Sequence, residues 1–166
     1  QYAKQPLLTA HIHPSQFVLN DSVWTINEAD ITYTAADKQV SIQQFGLSTD
    51  YQSIEAHGTA SPNLEDSITI DLRNMDVQYL LSYTEAGSAI SVQGPLTGWA
   101  TLYGLFTQPM VEAQVAIPNA GLNGTYLGDL TANAYLDHEE KTIIIEGQAI
   151  DSTNHQVVEV NGKVEF

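Results

Sequence analysis

The chain is 166 residues long and 43% hydrophobic, with 20 acidic against 5 basic residues and a formal net charge of −15. One domain with a sizeable core fits that length. Lys4, Lys38, Arg73, Lys141 and Lys163 stand singly, so the clustered cations needed for nucleic acid or for an anionic membrane surface are missing. By itself the acidity serves to keep an apolar-rich β protein soluble.

Strands are predicted almost everywhere, because apolar and polar residues alternate with period two between turn-forming clusters. The stretch "FVLNDSVWTINEADITY" runs into an Asn-Asp-Ser turn and restarts with Trp24 and Ile26 on one face, followed by Ile31, Tyr33 and Ala35, then Val40 and Ile42. Ile54, Ala56, Gly58 and Ala60 come next, and then Ile68, Ile70 and Leu72. In the second half the same parity is carried by Ile90 and Val92, by Val111 to Ile117, and by Leu130 to Leu136. It continues through Ile143 to Ala149 and ends with Val158, Val160, Gly162, Val164 and Phe166. Thr, Ser, Glu, Gln, Asp and Asn fill the opposite faces. The clusters "NDS", "AADKQ", "SPNLED", "DHEEK" and "STNH" are suited to closing antiparallel hairpins, which predicts a meander. At most one short helix is expected, near residues 76–86, where Val77, Leu80 and Leu81 have near-helical spacing before Gly87.

About ten strands with one apolar face each must bury that face against something. A closed sandwich, a closed barrel and a single curled sheet are the alternatives. Many inward positions are small (Ala56, Gly58, Ala60, Ala113, Ala132, Ala134, Gly147, Ala149), which leaves room for a ligand in a curled sheet. The competing arrangement is a dry core in which the apolar faces pack on each other.

Other chemistry is thinly represented. The chain has no cysteine, so disulfides and thiolate metal sites are excluded, and no apolar run reaches the ~20 residues of a membrane-spanning helix. His11 and His13 lie two apart on one strand face, a spacing that suits two metal ligands, but no third ligand is evident and surface histidines beside Pro14 explain them as well. Asp137, Glu139 and Glu140 crowd a turn without matching a calcium-loop pattern. "GLNGTYLG" has no Lys and opens no helix, so it is predicted to be a hairpin and not a phosphate loop. His57, His138 and His155 fall on a polar face or in turns, with no nucleophile-elbow motif for a Ser-His-Asp triad. No catalytic residue, cofactor or enzymatic activity is expected. Asn20 and Asn123 begin N-linked sequons.

A resemblance is carried by "FVLNDSVWTI", "ITYTAADKQVSIQQFGL", "SIEAHGTAS", "DSITIDLRNMDVQYL", "GPLTGWATLYGLFTQPMVEAQVAIPN" and "GLNGTYLGDLTANAYLDHEEKTIIIEG" in that order. From about residue 12 onward the chain resembles the C-terminal region of TamB-type proteins, in the version found in Bacteroidetes. These belong with the AsmA-like, bridge-like lipid transfer proteins of the bacterial envelope. The resemblance implies an antiparallel meander curled into an open, taco-like groove with an apolar interior, here a single β domain over 1–166 cut from a longer β-groove protein. It implies a periplasmic segment of a translocation and assembly module, with the parent anchored in the inner membrane and acting in phospholipid transport and outer-membrane protein assembly. Lipid acyl chains and an Omp85-type β-barrel reached through the parent are the implied partners, and the fragment is expected to self-associate through its raw edges.

The lining expected for such a groove is Trp24, Ile26, Ile31, Tyr33, Ile42, Ile54, Ile68, Ile70, Leu72, Val115, Ile117, Leu130, Leu136, Ile143 and Ile145. The alternative function is a closed β-sandwich serving as a binding or adhesion module of an envelope or surface protein. A closed lipocalin-like barrel would require pairing near Ile12 and Val164. Ser22, Ser67 and Ser152 sit in Asp-Ser-apolar or Asp-Ser-Thr tripeptides that look like the O-glycosylation signal of Bacteroidetes envelope proteins.

Overall fold

The alternating pattern folds as strands throughout. The computed structural model describes residues 7–19, 21–82, 90–137 and 141–165. Their strands are β1 (Leu7–Ile12), β2 (Ser15–Leu19), β3 (Ser22–Ile26), β4 (Ala29–Thr34), β5 (Gln39–Ser48), β6 (Ser53–Ala60) and β7 (Ser67–Asp76). After helix α1 (Val77–Leu81) come β8 (Val92–Gln93), β9 (Pro95–Tyr103), β10 (Met110–Leu122), β11 (Thr125–Asp137), β12 (Thr142–Asp151) and β13 (Gln156–Glu165).

The strands form one sheet, ordered β1-β4-β5-β6-β7-β9-β10-β11-β12-β13, with β2 and β3 forming a side hairpin and β8 beside β10. It is not closed into a barrel: Ile12 pairs with Ala29 and Val164 with Ile143. The protein is therefore all-β, with antiparallel pairing and, among the described residues, a single short helix. Two departures from the expected meander stand out. β1 skips the β2–β3 hairpin to pair with β4, and the strand expected around Ile90 shrinks to Val92–Gln93. Ala35 lies in the β4–β5 turn instead of continuing its strand.

Contacts gather the chain into two compact units. The first runs to Asp71 and includes Ala100–Val111; the second comprises Leu72–Trp99 and the chain from Glu112 onward. Trp24, Ala29, Ala60 and Ile68 are buried in the first unit. In the second, α1 supplies Val77 and Leu81 to a cluster with Ile117, Ala120, Val92, Leu96 and Leu130. The helix starts because Asp76 caps it, its carboxylate accepting the Tyr79 N–H at 3.3 Å. It stops at Ser82, whose hydroxyl donates to the Tyr79 carbonyl at 2.6 Å.

Three bulges keep the apolar residues on one face. In each, an apolar residue is followed three positions later by the next inward residue, with a positive-φ residue just before it: Ile42–Phe45 around Gln44 (φ 50), Leu72–Met75 around Asn74 (φ 52), and Ile117–Ala120 around Asn119 (φ 52). The extra residue would otherwise turn every later side chain to the wrong face. Register shifts mark the first and third. A side chain satisfies a backbone group at each. Asn27 Nδ2 donates to the Gln44 carbonyl at 2.6 Å. The Asn74 N–H donates to Thr97 Oγ1 at 3.1 Å, and the Asn119 N–H donates to Asp129 Oδ1 at 3.0 Å.

The turns follow their sequences. Asn123 and Gly124 both have positive φ and join Leu122 to its pair Thr125, the two-residue hairpin that an Asn-Gly pair favours. Between β12 and β13, the buried Asp151 accepts from the Thr153 N–H at 2.9 Å, the Asn154 N–H at 3.3 Å and Asn154 Nδ2 at 2.7 Å. The Asn154 side-chain bond does most to hold its carboxyl below the usual range; burial opposes this, and the two backbone bonds support it. A lowered folded-state pKa contributes stability above the unfolded-state value, lost as pH falls through the folded one. The stability gap between the protein and Asp151→Ala is therefore expected to be full at neutral pH and to close as pH drops below about 4. Denaturant unfolding across pH measures it, and a gap independent of pH would contradict the assignment.

Candidate apolar binding surface

Register, more than any motif, builds the candidate site. In the first unit the cross-strand rows are Leu8–Tyr33–Val40–Ala60, Ala10–Ile31–Ile42–Gly58 and Ile12–Ala29. Beyond the Gln44 bulge they continue as Phe45–Ala56 and Ile26–Leu47–Ile54. The second unit has Ile117–Leu130–Ala149–Val158, Val115–Ala132–Gly147–Val160, Ala113–Ala134–Ile145–Gly162 and Leu136–Ile143–Val164. No row contains a charged residue, and the Tyr33 hydroxyl is the single polar group in them. Charges stand on the other face, where His11 pairs with Asp30 and His57 Nδ1 lies 3.6 Å from Asp71 Oδ2.

The faces are only partly covered. Ile26, Ile31, Ile42, Ile54, Ile70, Leu72, Val115, Leu130, Leu136, Ile143 and Ile145 are half-buried, and Tyr33 is 38% exposed. Trp24, Ile68 and Ile117 are buried, at 6%, 9% and 3% exposure. Within the second unit coverage falls off along the strands. Ile117 and Ala120 are dry beside α1 and Ala149 is dry opposite Leu130, whereas the Leu136–Ile143 row is half-open. Adjacent strands lie about 4.8 Å apart and like-facing residues about 7 Å apart along a strand, so the half-open rows of four strands present a strip about 14 Å wide. Such a strip can remove methylenes from water; it offers no nucleophile, acid–base pair or oxyanion donor.

Sequence reasoning missed the part of the face beyond each bulge, namely Phe45, Leu47, Met75 and Ala120, together with Leu8, Ala10 and Ile12 of β1. The apolar spacing of three with Asn or Gln in between was the available signal.

The remaining candidates are dispersed. His13 is exposed in the β1–β2 connection and is not drawn to His11, and among the described residues no group of three His, Cys, Asp or Glu side chains could hold a metal ion. The turn at Glu139 and Glu140, like His138, lies outside the described residues. Ser22 and Ser152 are exposed, whereas Ser67 is half-buried in β7. No helix among the described residues is long and apolar enough to cross a membrane. Comparison with family models, curated proteins and solved structures gives no match.

Proposed function

We propose that this chain is a segment of a β-groove lipid conduit of the TamB type, in which the half-open apolar face of each unit solvates acyl chains. The observation that carries the reading is the set of uninterrupted, charge-free rows left half-exposed on one side of the sheet. The ordered run of motifs that resembles those of TamB-type proteins supports it. On this reading the parent is held in the inner membrane, the segment lies in the periplasm, and an Omp85-type β-barrel is met by the parent. Phospholipid transport and outer-membrane protein assembly are the processes served, without catalysis or a cofactor.

The energetics are adequate for a transient carrier. Burying about eight methylenes at ~0.8 kcal/mol each gives about 6 kcal/mol. That corresponds to a dissociation constant on the order of 10 µM, before ordering costs. Loose binding of this kind lets a lipid enter and leave, and no residue has to recognise a headgroup.

A polyene fatty acid that fluoresces in apolar surroundings tests the reading. Titrated with the chain, it is expected to brighten saturably and to be displaced by short-chain phospholipid below its micellar concentration. An absence of saturable brightening from a folded sample would return the face to mere packing and favour a binding module whose ligand contacts lie elsewhere.

A further inference from the structure

Strand β3 lies between β2 and β5 and outruns its pairing with β5. Thr25 stands opposite Ser48 and Ile26 opposite Leu47. Just past the strand, the Asn27 N–H donates to the Gly46 carbonyl at 3.1 Å, so the odd-numbered residues here turn their backbone groups toward β5. Val23 is the next in that series. In the same register it would meet Asp50, but β5 ends at Ser48 and the chain turns away. Thr49 fixes the turn. Its N–H donates to the Gln52 carbonyl at 2.8 Å, and its hydroxyl accepts from the Tyr51 and Gln52 N–H groups at 3.2 and 3.0 Å. The Val23 N–H and C=O therefore point into a cleft, with no strand opposite them among the described residues.

The cleft holds about 520 Å³, within the range of small-molecule sites, and lies on the polar side of the first unit. Gln16, Thr25, Ser48 and Thr49 floor it, with Gln16 Nε2 donating to Thr25 Oγ1 at 3.3 Å. Asp21 and Ser22 rise from one turn, Asp50 and Tyr51 from the other. Val23 is 54% exposed and Tyr51 79%. No lysine, arginine or histidine is among the described lining residues.

We infer that this cleft binds a neutral pyranose sugar. A pyranose carries hydroxyls around its rim and C–H groups on its faces, and the cleft matches both. Asp21 and Asp50 accept hydroxyl protons in charge-assisted hydrogen bonds. The Ser22 hydroxyl and the Val23 backbone pair both donate and accept. The Val23 side chain and the exposed Tyr51 ring supply apolar surface for a C–H face. Acidic or phosphorylated sugars are disfavoured by the lack of a cation in the lining and by the net charge of −15. A metal ion fits less well, since no three acidic or histidine groups converge among the described residues and an ion makes no use of Val23 or Tyr51. The inference is independent of the lipid reading, because the cleft opens on the polar side of the sheet.

Amide NMR on the ¹⁵N-labelled chain provides the test. The probes are D-glucose, D-galactose, D-mannose and N-acetyl-D-glucosamine, with trilysine as a cationic counter-probe. At least one sugar is expected to move the Val23 and Asp50 amides saturably while leaving those of Ile143 and Ile145 in place. Trilysine is expected to move none of them. Asp50→Asn and Asp21→Asn are each expected to weaken sugar binding about tenfold, the loss of a hydrogen bond to a charged group. Asn adopts the left-handed backbone of Asp21 (φ 58) as readily as Asp does. Glu55→Gln removes the same charge from an exposed β6 position outside the cleft and is expected to leave binding unchanged. Three results would overturn the inference: no saturable shift with any of the four sugars, shifts with trilysine alone, which would make the cleft a site for cationic peptide, or equal losses from Glu55→Gln and the two cleft variants.

Discussion

Replacing Gly128 with alanine is expected to destabilise the protein by about 3–5 kcal/mol, a large share of the ~5–15 kcal/mol by which domains of this kind are stable. Gly128 has a φ of +106° in β11, where an L side chain is strained. A Cβ there would also run into the Ile150 carbonyl and lie 2.6 Å from the Asp151 nitrogen. These are backbone atoms of the neighbouring strand, so relief means parting β11 from β12 beside the Asp151 turn. Gly124→Ala makes the contrast. Its φ is +80° but nothing lies within 4 Å of the added carbon, so only the left-handed backbone cost of about 1 kcal/mol is expected. Denaturant midpoints for the two variants measure both, and equal losses would show that strand approach at Gly128 is looser than described.

Ile145→Lys is expected to lower acyl-probe affinity at least tenfold while moving unfolding stability by less than about 1 kcal/mol. Ile145 lies in the half-open row with Ala134 and Gly162 on either side, so a lysine stem can lie along the sheet with its ammonium in water. The fold tolerates that; a lipid tail on the same strip does not, because the cation must be desolvated or the tail displaced. Glu146→Lys, one residue along and on the exposed polar side, introduces the same ammonium with a larger net charge change and is expected to leave affinity unchanged. Equal losses from both substitutions would place binding in general electrostatics and remove the apolar rows from the mechanism.

Alternation made the parity of nearly every strand legible. Val115, Leu130, Ile143 and Ile145 were all assigned to one face by spacing alone, and the register sets each beside an apolar partner. What alternation cannot carry is a change of phase. At Gln44, Asn74 and Asn119 one residue is inserted, and the apolar series resumes after a step of three where two was expected. That is why Phe45, Met75 and Ala120 escaped the pattern. Pairing order was hidden for another reason. The β2–β3 hairpin pairs within itself from Leu19↔Ser22 to Ser15↔Ile26, and nothing local tells β1 to reach past it to β4. Coverage was also out of reach, since the five residues of α1 decide that Ile117 is dry while Ile143 is half-open.

The most direct measurement places a photoreactive benzophenone side chain at Ile70 in one preparation and at Asp71 in another, with each irradiated beside vesicles of labelled phospholipid. Ile70 is half-buried on the apolar parity and Asp71 is exposed on the polar one. Labelled lipid captured from position 70 and not from 71 is the result expected of a face that takes acyl chains. Equal capture at both positions, or none at either in folded protein, would contradict it.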